Sequence, residues 1–409
     1  MNLAVSNTNT NLQGNLKITG SKSESNRLLI LKALYPELKI ENLSNSDDSQ
    51  VMAAALEKAN GEIDIHHAGT AMRFLTAYFA TKDGANVILT GSKRMRQRPI
   101  RLLVDALKRM GASIEYTENE GYPPLKITGK KIHSSRVSLA ANISSQYISA
   151  LMLVGASLPQ GLEIALNGQV TSEPYILMTL GLLKQAGING NYENGRIAIE
   201  ATQKIEAKTI AVESDWSSAS YFYSLAAISE TAEIKLSNYN KQSKQGDSNL
   251  AKIYEKFGVI TEFGENWIRL KKEKGKKPSR ISEDLRDSPD IAQTIAVTCL
   301  ALNMGCELKG LHTLKIKETD RLEALKAEME KFGAEVLISK DSLTLRPCKN
   351  LAEGVKIATY NDHRMAMAFA PLGLKTKLLI EDTEVVSKSY PGFWQDLEKL
   401  GFQISEINN

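Results

Sequence analysis

Ten short stretches of this chain gather residue types that hold anions or move protons. In Gly20-Ser21-Lys22-Ser23-Glu24-Ser25-Asn26-Arg27, hydroxyls, a lysine and an arginine lead into the apolar helical stretch Leu28 to Leu34. Free N–H groups at a helix start, with a lysine and a guanidinium about one turn on, make a place for phosphate or carboxylate. Ser21 separates Gly20 from Lys22, so the stretch is not a Walker loop. A serine-capped helix with surface charges would read the same way. Ala68-Gly69-Thr70-Ala71-Met72-Arg73 again opens an apolar helix. Gly69 fits either close approach of backbone to a ligand or tight helix packing. Arg94-Met95-Arg96-Gln97-Arg98 sets three guanidiniums close together ahead of the helix Ile100 to Met110, compensated by anions or simply solvated.

Three stretches put hydroxyls at helix starts: Ser144-Ser145-Gln146-Tyr147, Thr171-Ser172-Glu173-Pro174-Tyr175 and Asp215-Trp216-Ser217-Ser218. Capping explains such residues one at a time; their repetition is what suggests anion sites. Ser288-Pro289-Asp290 is good helix-start chemistry by itself, with Ser288 as cap, and it also offers Asp290 as a base. Lys317-Glu318-Thr319-Asp320-Arg321 places Glu318 beside Lys317, an arrangement that keeps a carboxylate ionised and able to take a proton. Tyr360-Asn361-Asp362-His363-Arg364 precedes an apolar helix that Asp362 is placed to cap, and Ser387-Lys388 adds a lysine at one more helix entry.

The elements that must position these groups recur along the chain. Helical stretches end at Gly111, Gly187, Gly258, Gly333 and Gly401, where a left-handed C-cap is wanted, and alternating strands such as Arg196 to Glu200 and Ser342 to Arg346 follow. A spacing of about 70 residues exceeds solenoid repeats, so each copy is a small α+β unit. A further copy is expected to end near Asn60-Gly61-Glu62-Ile63, giving five or six βαβαββ-like units in two similar domains. The run Lys271 to Pro278 reads as an exposed basic loop, with a polyanion patch as the sharper alternative.

Composition sets outer bounds. The 409 residues suffice for two or three domains, and 42% hydrophobic with 24% charged residues excludes a disordered or collagen-like chain. A net charge of +4 is too small to suggest a nucleic-acid binder, and no apolar run reaches the roughly 18 residues of a membrane span. Met1 to Thr8 carries no secretory signal pattern. Cys299, Cys306 and Cys348 lack C-x-x-C spacing, which fits a reducing cytoplasm rather than a disulfide or zinc framework.

Taken in order, the ten stretches resemble the 5-enolpyruvylshikimate-3-phosphate synthase family of enolpyruvyl transferases from Ile18 to about Trp394. Gly20 to Arg27, Lys317 to Arg321 and Asn361 to Arg364 form the most specific trio. The resemblance implies an α/β (α+β) fold of two similar domains, each of three βαβαββ units in an inverted-cone arrangement, with the active site in the cleft between them. It implies a discontinuous domain, 1–20 with 213–409, on the phosphoenolpyruvate side, and an inserted domain, 21–212, on the shikimate 3-phosphate side. The implied reaction joins phosphoenolpyruvate to the 5-hydroxyl of shikimate 3-phosphate, with no metal or other cofactor. A cytoplasmic monomer is implied, with small-molecule substrates and no nucleic-acid or membrane partner.

By the same resemblance Lys22 contacts both substrates, and Ser23 and Arg27 hold shikimate 3-phosphate. Ser144, Ser145 and Ser172 bind its phosphate, with Gln146 and Tyr175 against its ring. Arg98, Arg321, Arg364 and Lys388 hold phosphoenolpyruvate alongside Gly69, and His363 lines its site. Asp290 is the base at the 5-hydroxyl with Lys317 close by, and Glu318 serves proton transfer at the methylene carbon. Three departures stand out: His66-His67 in place of Gly-Asn, Phe74 in place of proline, and Thr313 in place of asparagine. Retention of Gly69 leaves room for the inhibitor glyphosate, so sensitivity is expected. The sister transferase acting on UDP-N-acetylglucosamine is the nearest rival, but the Arg94 to Arg98 segment lacks its reactive cysteine. A basic RNA-binding protein would use Lys271 to Lys277 and leave the Lys317 and His363 clusters unexplained.

Overall fold

The computed structural model describes residues 1–140, 144–168, 170, 173–273, 275 and 278–407. The chain divides into two compact units, Met1–Thr19 with Glu213–Asn409, and Gly20–Val212. Each buries its own apolar core.

Twelve α-helices lie among the described residues. They are α1 (Lys22–Leu34), α2 (Asp47–Leu56), α3 (Gly69–Thr81), α4 (Arg101–Arg109), α5 (Ser145–Gly155) and α6 (Glu173–Gln185), then α7 (Trp216–Ile228), α8 (Leu250–Glu255), α9 (Ala292–Ala301), α10 (Arg321–Glu330), α11 (His363–Phe369) and α12 (Phe393–Lys399). The repeat is plain in the strand pairing. In unit 20–212, Asn60–Asp64 runs parallel to Asn86–Thr90, then Leu125–Thr128 and Ser113–Tyr116 follow antiparallel. Arg136–Ala140, Leu162–Asn167, Arg196–Ile199 and Gly190–Glu193 repeat that order. The third sheet of this unit is pared down to Leu38–Glu41 beside Lys208–Ala211.

The other unit carries three four-stranded sheets. Asn11–Leu16 pairs with Thr231–Ser237, followed by Trp267–Lys272 and Val259–Gly264. Arg280–Asp284, Gly305–Lys309, Leu343–Leu345 and Val336–Ile338 form the second. In the third, Leu3–Ser6 stands between Leu378–Ile380 and Gln403–Glu406, with Lys356–Ile357 at the edge. Parallel neighbours need a crossover, supplied here by α3, α5, α7, α9 and α11. In five of the six copies the second helix ends at the expected glycine, and Gly111, Gly187, Gly258, Gly333 and Gly401 all have positive φ.

Two expectations fail locally. Gly61 is not a helix end: α2 stops at Leu56, and Gly61 lies inside the strand Asn60–Asp64. Lys271 and Lys272 belong to the strand Trp267–Lys272, where Lys272 donates to the carbonyls of Ala227 and Phe257 at 2.7 Å. Lys274, Lys276 and Lys277 lie outside the described residues.

The crossover helices are apolar nearly all round because they are buried on every side. Every residue of α9 is buried, as is all of α7 except Ser217. Hydroxyls tie the two together: Ser220 meets Thr294 at 2.9 Å, and Thr298 donates to Ser224 at 2.8 Å. The pairing fixes how α7 and α9 sit along one another, and so fixes the groups at their N-termini.

Candidate active site

In unit 20–212 the helix begins at Lys22, not at Leu28, so Lys22, Ser23 and Arg27 ride on the first two turns of α1. Ser21 precedes the helix without a side-chain cap bond, and its hydroxyl is buried with no partner. Arg27 donates from Nε to Thr179 Oγ1 at 2.8 Å, from Nη1 to the Ser23 carbonyl at 2.8 Å and from Nη2 to Ser149 Oγ at 3.0 Å. Its guanidinium carbon stands 5.4 Å from the ring centre of Phe74 and 5.8 Å from that of Tyr175. All its hydrogen-bond partners are neutral oxygens, and burial pulls its pKa down to about 10. A buried cation without a bonded carboxylate has a use for an anionic ligand.

Lys22 Nζ lies 3.3 Å from Asp48 Oδ2, and His67 Nε2 lies 3.8 Å from Asp48 Oδ1. Asp48 is buried in the first turn of α2, whose N-cap Ser46 accepts from the Ser49 N–H. Helix α3 begins at Gly69, and a Cβ there would stand 2.5 Å from Arg98 Nη1. Only glycine lets that guanidinium lie against the helix start. Arg73 sets the spacing, donating to the carbonyls of Gly69 and Pro99 at 3.1 Å each. Of the three clustered arginines, Arg98 alone is half-buried, while Arg96 pairs with Glu118 at 2.9 Å on the surface. Ser144 caps α5, Ser145 is buried behind it, and Gln146 Nε2 donates to Thr70 Oγ1 at 3.1 Å. Tyr175 is half-buried in the first turn of α6, and Ser172 lies outside the described residues.

The second cluster belongs to the other unit. Asp290 sits in a 3₁₀ turn, Pro289–Ile291, ahead of α9, and Ser288 makes no side-chain cap bond, contrary to expectation. Arg321 opens α10, fully buried, with Asp320 capping that helix through the N–H groups of Leu322 and Glu323. Arg321 reaches three carboxylates: Asp362 Oδ2 at 2.7 Å, Glu318 Oε2 at 2.8 Å and Asp290 Oδ1 at 2.9 Å. Lys317 Nζ lies 3.4 Å from Asp290 Oδ1, and Arg364 Nη2 lies 3.2 Å from Asp290 Oδ2. Both residues of the Lys317–Glu318 pair also have partners beyond each other. Arg321 holds Glu318, and Lys317 faces Asp290, because the chain turning into α10 brings residue 321 back over residue 318.

Asp362 caps α11 as expected, accepting from the Arg364 N–H at 2.9 Å, and His363 is buried with Nδ1 3.8 Å from Asp362 Oδ1. Lys388, at the end of the 3₁₀ turn Thr383–Lys388, donates to the Asn361 carbonyl at 2.6 Å. Thr313 has a buried hydroxyl with no partner.

Electrostatics separate the roles. Burial pushes the Asp290 carboxyl up, but Arg364, Lys317 and Arg321 outweigh it and hold the group well below the usual carboxylate range. Arg321 is opposed by burial yet raised further by Asp362, Glu318 and Asp290. Four of its five N–H donors go to carboxylates, so here it acts as the anchor of the cluster, with a second Nη1 N–H to offer an anion. Arg364 is different. Its Nε is buried without a partner, leaving a directed N–H for an incoming anion.

Sequence reasoning missed Asp48, Ser149, Thr179, Ser217 as a partner of Arg364, and Asp247. Asp47-Asp48 looks like ordinary first-turn acid after a serine cap, and Gln245-Gly246-Asp247 sits in a segment without periodicity. Neither carries a local signal for its distant partner.

The model of EPSP synthase (3-phosphoshikimate 1-carboxyvinyltransferase) matches residues 6–64 and 57–397. A 3-phosphoshikimate 1-carboxyvinyltransferase from Bacteroides fragilis is 47% identical over 397 residues, 96% of both chains. One from Histophilus somni is 37% identical, covering 95% of this chain and 96% of its own. Among solved structures, an EPSP synthase from Acinetobacter baumannii superposes with a TM-score of 0.78 at 20% identity, covering 99% of this chain and 100% of that one. The enolpyruvyl transferase NikO from Streptomyces tendae gives 0.75 at 14% identity, covering 100% and 99%. At such identities the superpositions speak for the fold alone, and it is the full-length sequence relatives and the family match that place the chain in the EPSP synthase (3-phosphoshikimate 1-carboxyvinyltransferase) family.

Proposed function

We infer that the chain transfers the enolpyruvyl group of phosphoenolpyruvate to the 5-hydroxyl of shikimate 3-phosphate, releasing phosphate, as a step of aromatic biosynthesis. The observation that carries this is the grouping of Asp290, Lys317, Glu318, Arg321 and Arg364, two carboxylates placed for proton transfer beside an arginine with an open donor. The 5-hydroxyl oxygen attacks C2 of phosphoenolpyruvate and gives up its proton, while C3 gains a proton, forming a tetrahedral ketal. C3 then loses a proton, the C2–O bond to phosphate breaks, and the enol ether remains.

Asp290, ionised among three cations, accepts the hydroxyl hydrogen bond and orients the nucleophile. Its basicity rises as anionic substrate draws on Arg364 and Lys317, since each cation turned toward substrate acts less on the carboxylate. Glu318, held by Arg321, serves the proton at C3. Fixed cations aimed at phosphate and carboxylate stabilise charge that moves during addition and elimination.

Lys22, Ser23, Arg27, Ser144, Ser145, Gln146, Ser172 and Tyr175 are the proposed shikimate 3-phosphate set. Gly69, Arg98, Arg321, His363, Arg364 and Lys388 are the proposed phosphoenolpyruvate set. Unit 20–212 is then the shikimate 3-phosphate domain and the discontinuous unit the phosphoenolpyruvate domain, apart from Gly69 and Arg98. A cytoplasmic monomer acting on free small molecules is the matching proposal. Its three described cysteines are buried and unpaired, and no helix among the described residues is long and apolar enough to cross a membrane.

The test is phosphate release with both substrates and with each omitted in turn. Release only with both present is the expected result. No release from that pair, or equal release with UDP-N-acetylglucosamine as acceptor, overturns the assignment.

A further inference from the structure

Behind Arg364 lies a carboxyl group that the reaction does not obviously need. Asp247 occupies a 3₁₀ turn, Gly246–Asn249, and is 6% exposed. The segment before it is pinned at two points. Glu213 accepts from the Asn240 N–H at 2.9 Å and the Ser243 hydroxyl at 2.6 Å, and Gln245 accepts from the Trp216 N–H at 3.0 Å while donating to the Ser214 carbonyl at 3.0 Å. So held, Asp247 accepts a hydrogen bond from the Ser217 hydroxyl. Ser217 in turn accepts from Arg364 Nη2 at 3.3 Å, the nitrogen that also faces Asp290 Oδ2 at 3.2 Å.

Ser217 is the one half-buried residue of an otherwise buried α7, at its first turn. With its proton given to Asp247, its lone pairs are left to face Arg364. Two acceptors then fix Nη2, and the guanidinium plane is set with Nε still open.

We propose that Asp247 is a positioning residue for the reaction: through Ser217 it sets the guanidinium of Arg364 for phosphoenolpyruvate, and its own charge state tunes how strongly that arginine takes the anion. This rests on the reaction proposed above and on Arg364 holding phosphoenolpyruvate. The charged groups acting on Asp247 are Asp290, Arg364 and Asp215. Burial, then the neighbouring Asp290, push its carboxyl up to about 7, against the pull of Arg364. Either form accepts the Ser217 proton, so the positioning persists, but only the ionised form adds a negative charge that competes with substrate. The sign follows: as pH rises through about 7, Asp247 ionises and phosphoenolpyruvate binds less well.

The experiment uses the full chain and four variants, D247A, D247N, S217A and the double D247A/S217A, with kcat and both KM values measured from pH 5.5 to 8.5. Wild-type phosphate release that requires both substrates secures the underlying reaction first. Its failure would indict that reading, not this one. D247A and S217A are each expected to raise KM for phosphoenolpyruvate about tenfold, as for a lost hydrogen bond to a charged group, and to move KM for shikimate 3-phosphate far less. The double variant is expected to lose little more than either single one, because both act along one chain of bonds. D247N keeps an acceptor oxygen and is expected to recover most of the D247A loss. The wild-type KM for phosphoenolpyruvate should climb on the order of tenfold from pH 6 to 8 while that of D247N climbs distinctly less. Ionisation of the substrate is common to both proteins and cancels in the comparison. Additive losses in the double variant, equal effects on both substrates, or superimposable pH profiles for wild type and D247N would each overturn the proposal. A melting curve on every variant shows which losses come from unfolding, and S217A, the milder change, carries the test if D247A does not fold.

Discussion

Replacing Asp290 by asparagine separates binding from chemistry. Its two oxygens take Arg321 at 2.9 Å, Arg364 at 3.2 Å and Lys317 at 3.4 Å. An amide of the same shape offers one acceptor and turns an N–H₂ toward a cation, so at least one of the three loses its partner. The charge balance moves the other way. Asp290, Glu318, Asp362 and Asp247 face Arg321, Arg364 and Lys317, and D290N removes one negative charge from the set. Anionic phosphoenolpyruvate then meets a more positive site, so its KM is expected to stay level or fall. The group that receives the hydroxyl proton is gone, so kcat is expected to drop at least about 100-fold.

Stability gives a second reading of the same variant. Breaking a buried ion pair costs about 3–5 kcal/mol when it strands a charge. Arg321 keeps Asp362 and Glu318, so the loss should be nearer about 1–3 kcal/mol. At about 2–4 °C per kcal/mol for a unit of this size, the melting temperature should fall by roughly 2–12 °C. Because the Asp290 carboxyl is held below its ordinary range, its stabilisation is present above the unfolded value and lost as pH falls. The gap between wild type and D290N should therefore hold from pH 8 to 5 and begin to close only below about 4. Phosphate release and calorimetry across that range check both arms. A kcat within about tenfold of wild type would remove Asp290 from proton transfer. A raised phosphoenolpyruvate KM with kcat preserved would mean that the charge argument is wrong.

Two further outcomes follow from the other unit and one from the same cluster. R27K keeps the charge but cannot hold Thr179, Ser23 and Ser149 from one planar fork, so KM for shikimate 3-phosphate should rise about 10–100-fold while that for phosphoenolpyruvate moves little; an unchanged shikimate 3-phosphate KM refutes it. G69A puts a methyl 2.5 Å from Arg98 Nη1 and forces the guanidinium back by about 1 Å, which should raise phosphoenolpyruvate KM about tenfold or more and weaken glyphosate inhibition; steady-state inhibition kinetics that match wild type would contradict this. E318Q removes the carboxylate held by Arg321 and should lower kcat at least about 100-fold, with near-wild-type turnover excluding Glu318 from the proton step.

Much of the architecture was legible because it is written in local chemistry. A glycine at the end of a helix, followed by alternating residues, depends on backbone conformation within a few residues, and all five such glycines hold the left-handed geometry they suggested. The failures are instructive for the same reason. Ser288 and Lys22 both carry local start signals, yet the first makes no cap bond and the second lies inside the helix rather than ahead of it. Gly61 reads as a repeat boundary, but the sixth copy pairs only two strands among the described residues, and Gly61 already lies in the first strand of the next sheet.

Which charges would share a site was harder to read than which segments were charged. Lys22 was visible, its partner Asp48 was not; Arg364 was visible, Ser217 and Asp247 behind it were not. Pair choice is settled by desolvation across distant segments, about which short-range spacing is silent. That silence also says what the cluster is for. Burying Asp362, Asp247, Arg321 and Arg364 together, with Asp290 half-buried beside them, costs several kcal/mol for each buried ion before pairing is counted. Apolar residues of similar volume would close the ends of α7, α9 and α11 at least as stably. The helices behind these groups are already tied by Ser220–Thr294 and Thr298–Ser224 bonds and packed on every side, so stability does not require the ions. A fixed set of charges for anionic substrate to meet, with one carboxylate kept ionised and one arginine kept partly open, does require them.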